Sequence, residues 1–205
     1  MRKITTSKTK QKKQLTQTIT KKEVERKIFH ILFGTSILAM IILFGTKTSI
    51  IVLFACLVFG VILSILIKKG INFGIINKIV QTVERENEKN FPGKAAVYFF
   101  TAAIILLGIF PNNPTLILGA LSVQVFADAS AALIGMKYGK HKLYKKKTWE
   151  GSIACIIVAI TCLTIFYPLP IAIIAGIIAT TIEILPLDDN LFIPLITAAA
   201  LMAMI

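Results

Sequence analysis

Seven apolar runs dominate this 205-residue chain and restrict it to a bundle of membrane helices. They cover residues 28–44, 49–67, 95–110, 115–136, 151–167, 171–185 and 191–205. A helix rises about 1.5 Å per residue, so the shortest runs barely cross the hydrocarbon of a bilayer. A mean hydropathy of +0.79 and 56% apolar residues exceed what a soluble core needs. The sequence therefore predicts an all-α, polytopic membrane bundle of about seven transmembrane helices, with six as the alternative count.

Basic residues are concentrated on alternate connections between these runs. Of the 23 lysine and arginine residues, ten precede the first run, six lie within 68–94, six lie within 137–147, and the remaining one is Lys47. Because positive residues favour the cytoplasmic side, the N-terminus is predicted to be cytoplasmic. All ten acidic residues then lie on cytoplasmic loops or at the cytoplasmic ends of helices. We therefore expect the chemistry to take place on that face.

The sequence divides into a tail and one domain. Residues 1–24 are basic and lack apolar periodicity, which predicts a disordered tail, and residues 25–205 form a single transmembrane domain. Apolar residues within 75–83 share one helical face and predict an interfacial helix at about 71–89. The lysines of the tail are not interleaved with aromatic residues, so no nucleic-acid partner is expected. The small size and short loops predict a multi-pass protein of a prokaryotic plasma membrane.

An acidic residue inside an apolar run is the first candidate for chemistry. Asp128 lies about two turns before the end of the fourth run, where an ionised carboxylate costs several kcal/mol unless it meets a partner, a metal or water. Gly135 follows seven residues later on the same face, and Gly139 follows it. Glycine at such a position lets a backbone or a ligand approach closely. The alternative is a carboxylate at a helix end that is paired with a lysine.

A basic loop follows and ends in Lys-Thr-Trp-Glu-Gly-Ser at 147–152. Thr148 is predicted to cap the next helix, so that free backbone N–H groups and lysines together meet anionic oxygens. Such a site suits a triphosphate. A simple positive-inside loop is the alternative, but it explains only the lysines. The candidate nucleotide-binding residues are Gly135, Gly139, Lys140, His141, Lys147, Thr148, Glu150, Gly151 and Ser152.

A third cluster lies at the mouth of the first run. It consists of Glu25, Arg26, Lys27 and His30, of which Arg26 and His30 are four residues apart and share a helical face. Arg26 and Lys27 are candidates for neutralising an anionic group. The alternative is anchoring by the basic residues together with a histidine satisfied within the bundle.

A fourth cluster joins the last two runs. Glu183 is followed by Asp188, Asp189 and Asn190, which offer hard oxygen ligands. Mg²⁺ in proteins binds through one or two such carboxylates plus substrate phosphates. The alternative is a plain acidic turn. Carboxylates for a cation, basic residues for phosphates and an apolar bundle for a lipid together indicate phosphoryl or nucleotidyl transfer to a lipid.

These residues resemble the CTP-dependent lipid kinases, the family that contains dolichol kinase, phytol kinase and the yeast-type diacylglycerol kinase. The resemblance extends over nearly the whole chain after residue 24. It rests on the order and spacing of four motifs rather than on any one of them. The motifs are Arg26-Lys27 with His30 and Gly34, Asp128 through Gly139, Lys147 through Ser152, and Glu183 with Asp188-Asp189-Asn190 and Pro194.

The resemblance implies transfer of the γ-phosphate of CTP to the hydroxyl of a lipid alcohol, with Mg²⁺ or another divalent cation. The acceptor stays open, because apolar grooves fit a polyprenol, phytol, geranylgeraniol or a diacylglycerol equally well. The oligomeric state stays open too.

Roles follow from the resemblance as hypotheses. Lys147 and its neighbouring lysines bind the CTP phosphates, and Arg26 and Lys27 neutralise the transferred group. Either Asp128 or Glu183 accepts the proton of the attacking hydroxyl. The expected metal ligands are Asp128, Asp188, Asp189 and Asn190.

Two other functions compete with the kinase. Phosphatidate cytidylyltransferases have a similar Gly-Lys-x-x-Gly-Lys-His stretch followed by Lys-Thr-Trp-Glu-Gly. Their later Lys-Asp and Pro-Gly-His-Gly-Gly elements are replaced here by Asp188-Asp189-Asn190-Leu191, which favours the kinase. A small transporter or structural membrane subunit is the third hypothesis. It is disfavoured because the polar residues gather at one face instead of lining a path through the midplane.

Overall fold

A computed structural model describes the backbone of residues 2–77, 80 and 93–205, with side chains described from residue 21 onward. Helix α1 runs from Arg2 to Lys68 and is interrupted at Gly45, whose φ of 75° and ψ of 173° are not helical. This interruption lies between the first two apolar runs. Next to it, the Thr46 hydroxyl donates to the carbonyl oxygen of Pro111 at 2.8 Å.

Three helical segments follow, and two of them are joined through a π-helical turn. α2 spans Lys94–Ile109, α3 spans Pro114–Ser122, the π turn spans Val123–Ala127, and α4 spans Asp128–Tyr138. Proline suits the first position of α3 because its missing N–H would be unpaired there. The Asn113 side chain caps the same helix by accepting from the N–H of Leu116 at 3.1 Å. The chain from Pro114 to Tyr138 thus forms one helical path of 25 residues.

A short antiparallel hairpin separates α4 from the last three helices. Its strands are β1, Lys142–Tyr144, and β2, Lys147–Thr148. The N–H of Trp149 donates to the carbonyl oxygen of His141 at 3.0 Å and closes the base of the hairpin. The helices that follow are α5, Trp149–Thr164, α6, Leu169–Ile184, and α7, Asp189–Met202.

Small residues let these helices pack closely. Several alanines that face neighbouring helices are fully buried, namely Ala102, Ala103, Ala120, Ala172 and Ala175. A Cβ at Gly34 would lie 2.3 Å from Val125, and one at Gly176 would lie 2.9 Å from Ile160. Small side chains at helix interfaces are typical of membrane bundles, where close packing replaces the hydrophobic driving force. The outer surface, in contrast, carries many exposed large apolar side chains, such as Leu43, Ile51 and Phe59.

Two described helical segments are long and apolar enough to cross a membrane, Lys21–Lys68 and Pro114–Tyr138. Four shorter apolar helices, α2, α5, α6 and α7, accompany them. The prediction of a mainly helical chain is confirmed, although the hairpin departs from an all-α chain, and the two long segments are candidate membrane spans. Alternation cannot reveal strands of three and two residues. Seven transmembrane crossings and a cytoplasmic N-terminus stay predictions.

Two other predictions are not decided by these elements. The interfacial helix expected at about 71–89 lies largely outside the described residues. The backbone of residues 2–20 continues α1 where the sequence predicts a disordered tail, but their side chains are not described. The division into a tail at 1–24 and a domain at 25–205 therefore stays a prediction.

Candidate active site

A buried ion pair joins α1 to the start of α4. The Nζ of Lys27 lies 2.5 Å from Oδ2 of Asp128 and 3.4 Å from the Asp128 carbonyl oxygen. The two side chains are 5% and 4% exposed. This is the lysine-paired carboxylate that the sequence left as the alternative for Asp128, but the lysine comes from another candidate cluster, 101 residues away. Two of the predicted clusters therefore meet.

The π turn just before Asp128 gives the ion pair two further connections. A π turn departs from the regular hydrogen-bond ladder and often marks a functional site. His30 Nε2 donates to the carbonyl oxygen of Gln124 at 3.3 Å, and the His30 ring meets the Phe99 ring edge-on at 5.5 Å. The Gln124 side chain is fully buried, and its Nε2 donates to Oδ1 of Asn190 at 2.7 Å. One turn thus contacts both α1 and α7.

Lys147 in β2 connects two acidic side chains from different helices. Its ammonium contacts Glu183 Oε1 at the end of α6 and lies 3.2 Å from Asp189 Oδ2 at the start of α7. Burial works to lower the pKa of Lys147, but the charges of Asp189 and Glu183 outweigh it and raise the pKa above its ordinary value. Lys147 therefore stays cationic. The charge of Asp128 also raises the pKa of Lys147, so the Lys27–Asp128 pair lies close enough to Lys147 to affect it.

Asp189 is a buried carboxylate whose pKa is raised. Burial first, and then repulsion from Asp128, raise the pKa of Asp189 to about 6 from an ordinary 3.8, although Lys147 works in the opposite direction. A carboxyl group with such a pKa exchanges protons readily near neutrality. It can therefore accept a proton or give one up for a cation.

Buried oxygens without partners lie beside these pairs. Gln124 Oε1, Glu183 Oε2 and Asp189 Oδ1 accept no hydrogen bond within the described part of the chain. An unpaired buried oxygen costs free energy, and such sites often serve a ligand or an ion. Glu183 and Asp189 already flank one cation, the ammonium of Lys147. Carboxylate and amide oxygens of this kind fit a divalent cation.

Two predicted site residues are turned to other partners. Arg26 is buried, but both its Nε and one terminal nitrogen donate to Glu23 Oε2, at 3.1 and 2.6 Å. Asp188 accepts from Lys94 at 3.2 Å, with both side chains partly exposed. Each of the four predicted metal ligands thus contacts another side chain: the three carboxylates contact lysines, and the asparagine contacts an amide. No group of three or more His, Cys, Asp or Glu side chains in the described residues forms a metal site by itself.

The space beside the glycines of this motif is filled by the protein's own backbone and side chains. A Cβ at Gly151 would lie 2.6 Å from the Ala131 carbonyl oxygen, and one at Gly139 would lie 2.2 Å from the Gly135 carbonyl oxygen. A Cβ at Gly135 would lie 3.0 Å from the Thr148 hydroxyl. The contacts of Gly151 and Gly135 bring α5 and its cap close to α4, whereas that of Gly139 lies within the end of α4. Close approach of a backbone, one of the two uses expected for these glycines, is what the structure shows.

The predicted cap of α5 is confirmed. Thr148 Oγ1 accepts from the Gly151 N–H at 3.2 Å. Ser152, one residue further, is buried, and its hydroxyl makes no hydrogen bond in the described part of the chain.

Three other predicted nucleotide-binding residues lie on the exposed side of the hairpin. His141 donates to Glu150 from Nδ1 at 2.8 Å and from its backbone nitrogen at 3.2 Å. Hydrogen bonding by the backbone N–H of Glu150 and by the side chain of His141 lowers the pKa of the Glu150 carboxyl to about 2. The Lys140 side chain is exposed to solvent. This pair orders the loop and leaves Lys140 free of the buried cluster.

Gln124 is the site residue that the sequence analysis did not name. It stands four residues before Asp128, one turn earlier, as the single amide in an otherwise apolar stretch. Its burial, its bond to Asn190 and its unpaired Oε1 place it among the site residues. A polar residue one turn from an intramembrane carboxylate was the available signal.

The sequence is similar to those of known proteins over most of its length. Residues 8–204 match the model of the cytidylyltransferase family. An uncharacterized protein of Methanocaldococcus jannaschii is 32% identical over 86% of this chain and 91% of its own length. A probable chloroplastic phytol kinase of Triticum aestivum is 26% identical over 87% of this chain and 66% of its own length.

A third relative carries the name of a kinase that uses CTP. CTP-dependent diacylglycerol kinase 1 of Schizosaccharomyces pombe is 26% identical over 62% of this chain and 67% of its own length. No solved structure matches the chain. The family match covers nearly all of the sequence, including every residue of the buried ion pairs. The chain therefore belongs to the cytidylyltransferase family, in the group that includes phytol kinases and CTP-dependent diacylglycerol kinases.

Proposed function

We propose that this protein is a membrane lipid kinase that transfers the γ-phosphate of CTP to the hydroxyl of a lipid alcohol at the cytoplasmic face. The observation that carries the proposal is the meeting of Lys27–Asp128 with Lys147, Glu183 and Asp189 at one end of an apolar bundle. The relatives named as kinases support it. We propose further that the chain crosses a prokaryotic plasma membrane seven times, with its N-terminus in the cytoplasm.

Phosphoryl transfer needs positive charge around the phosphates more than covalent help from the protein. Lys147 suits this task because its raised pKa keeps it cationic and because it is partly exposed. Lys27 brings a second ammonium close to Asp128. Arg26 is buried nearby, and it would have to leave Glu23 before it could bind a phosphate. We therefore assign the donor phosphates first to Lys147 and then to Lys27.

A divalent cation would neutralise negative charge on the phosphates of CTP. Glu183, Asp189 and Gln124 are the residues we assign to hold it, since each has a buried oxygen without a hydrogen bond to any described residue. Asp128 lies close enough to affect the pKa of Asp189 and completes the acidic surroundings. A cation held by two carboxylates and an amide keeps positions for phosphates, as Mg²⁺ prefers.

The acceptor hydroxyl must lose its proton as the new bond to phosphorus forms. Asp128 is assigned the role of base, because Glu183 and Asp189 are assigned to the cation. Its carboxylate would have to exchange the ammonium of Lys27 for the acceptor hydroxyl. Glu183 is the alternative candidate. The exposed apolar surface of the bundle offers the lipid chain a way to the site without crossing water.

The proposal is tested with CTP that carries one label in the γ-phosphate and another in the cytosine. Purified protein in lipid micelles with Mg²⁺ is offered dolichol, geranylgeraniol, phytol, diacylglycerol and phosphatidate in parallel. We expect the γ-label in a lipid, with CDP released. Lys147→Gln is expected to slow the transfer by about 10²–10³. Lys69→Gln, at an exposed lysine of another connection, is expected to leave it unchanged.

Cytidylyl transfer is the second candidate, because the family description names that reaction. The same experiment separates the two reactions. Cytosine label in a lipid made from phosphatidate, with release of pyrophosphate, would show a cytidylyltransferase and contradict the kinase. Neither label in any lipid, from a protein that is folded, would leave a non-enzymatic membrane subunit or a transporter.

A further inference from the structure

The hairpin between α4 and α5 presents a basic and aromatic surface away from the active site. We define this hairpin surface by its exposed side chains, which are Lys137, Tyr138, Lys140, Lys142, Tyr144, Lys145, Lys146 and Trp149. Lys147, within the same segment, turns instead toward Glu183 and Asp189. The segment therefore has one lysine for the site and five that point elsewhere.

The five lysines of the hairpin surface lack acidic partners. None of them forms an ion pair within the described part of the chain. Glu150, the acidic residue of this segment, is engaged with His141. A local excess of positive charge without internal compensation favours an anionic partner.

Aromatic rings lie among these lysines. Tyr138, Tyr144 and Trp149 are 53%, 43% and 55% exposed. The ammonium of Lys137 lies 5.0 Å from the centre of the Tyr138 ring, and that of Lys145 lies 5.3 Å from the centre of the Tyr144 ring. Tyrosine and tryptophan are enriched where a membrane meets water, because one part of each ring system is apolar and another is polar.

The position of the hairpin surface indicates which kind of anionic partner it would meet. Tyr138 is the last residue of α4 and Trp149 is the first of α5, so the hairpin joins the ends of two apolar helices. Such an end lies at the depth of lipid headgroups when the helices are in a bilayer. Basic residues near a membrane surface attract anionic lipids, and aromatic residues settle at the same level.

We propose that the hairpin surface binds the anionic headgroups of the surrounding membrane. The lysines supply the attraction, and Tyr138, Tyr144 and Trp149 fix the depth. The tip of the hairpin is a tight turn in which Lys145 adopts a φ of 48°, and both Lys145 and Lys146 are exposed there. This surface is separate from the triphosphate site assigned to Lys147, so the proposal does not depend on the kinase.

The single tryptophan of the chain, Trp149, allows a direct test. The full-length protein is placed in nanodiscs of phosphatidylcholine alone or of phosphatidylcholine with phosphatidylglycerol. We expect anionic discs to shift the Trp149 emission to shorter wavelength, to reduce its quenching by acrylamide and to increase its quenching by brominated lipid. In 1 M salt these differences should largely disappear, because the screening length falls to about 3 Å.

Matched variants assign the effect to the hairpin. Lys142→Gln with Lys146→Gln removes two exposed charges of the hairpin surface and should abolish most of the shift. Lys68→Gln with Lys69→Gln removes two exposed charges at the end of α1 and should leave the shift intact. Both pairs make the same replacement at two exposed lysines, and neither includes Lys147.

Equal Trp149 spectra in neutral and anionic discs would overturn the proposal. So would protection of Trp149 by CTP in neutral discs together with no response to anionic lipid, because the lysines would then belong to the donor site. A shift that both variant pairs remove equally would also overturn it, since the effect would come from total charge and not from the hairpin.

Discussion

Lysines occupy two contrasting regions of this protein, the buried ion pairs and the hairpin surface. In the first region, Lys27 and Lys147 are enclosed among helices, and each contacts at least one carboxylate. In the second, Lys142 and Lys146 are exposed and form no ion pair among the described residues. The two regions are adjacent, since Lys146 and Lys147 are neighbours in sequence. The contrast teaches that burial and partners, not residue type, decide what each lysine can do.

The largest difference between the regions is expected from breaking the Lys27–Asp128 pair. Asp128→Asn leaves the buried ammonium without its counter-charge, and breaking a buried pair costs about 3–5 kcal/mol. The replacement of both residues, Lys27→Met with Asp128→Leu, should recover most of that stability without recovering activity. Thermal unfolding in detergent measures the first effect and labelled CTP the second.

A control variant tests whether burial of the ion pair causes the loss of stability. Asp188→Asn removes the carboxylate of a partly exposed pair with Lys94 and should cost at most about 1 kcal/mol. Equal destabilisation by Asp128→Asn and Asp188→Asn would contradict the importance assigned to burial.

The second largest effect is expected at Lys147. Lys147→Gln removes a cation from a partly buried site, where one such electrostatic contact contributes about 10²–10³ in rate. Lys142→Gln, on the exposed face of the same hairpin, should leave the turnover number and the KM for CTP unchanged in neutral lipid. Steady-state kinetics of both variants measure the difference, and a similar loss in both would remove the distinction between the two regions.

The pH dependence of metal activation is expected to be a smaller effect. The pKa of Asp189 is about 6, so a proton competes with the cation as the pH falls through that value. Apparent Mg²⁺ affinity should fall about tenfold for each pH unit below 6 and should be nearly constant above 7. Titration of activity and of intrinsic fluorescence with Mg²⁺ measures this dependence. Asp189→Asn should weaken affinity at all pH values and remove the inflection, and an unchanged inflection would assign it to another group.

The smallest effect is expected at Gln124, which connects the π turn to α7. Gln124→Leu leaves the side-chain oxygen Oδ1 of Asn190 without its hydrogen-bond donor, which costs about 1–3 kcal/mol of stability. The variant should lower the turnover number more than it changes the KM for CTP. The exchange Gln124→Asn with Asn190→Gln preserves the combined length of the two amides and should restore part of the rate. A double variant no better than the worse single variant would show that the contact does not position the site.

The sequence predicted the local features of both regions more successfully than their pairing. The apolar runs, the cap at Thr148 and the burial of Asp128 follow from residue type and spacing, which act over a few residues. The partner of Asp128 could not be predicted, because Lys27 is 101 residues away and their contact depends on how α1 packs against α4. The lysine partners of two predicted metal ligands could not be predicted for the same reason. Lys94 and Lys147 contact Asp188 and Asp189 from other elements of the structure.

Two features were missed because their signal in the sequence is short. The hairpin has strands of only three and two residues, which are too short for alternation to indicate them. The π turn has helical composition, and only the isolated amide of Gln124 distinguishes it.

The most direct test of the account is γ-phosphate transfer from CTP measured side by side in three proteins. They are the unaltered chain, the Lys27→Met/Asp128→Leu variant and the Lys142→Gln variant, each shown to be folded by its unfolding transition. We expect transfer to a lipid alcohol by the unaltered chain and by Lys142→Gln, and none by the double variant. Equal transfer by all three would show that the buried ion pair is structural, and that the chemistry takes place elsewhere in the protein.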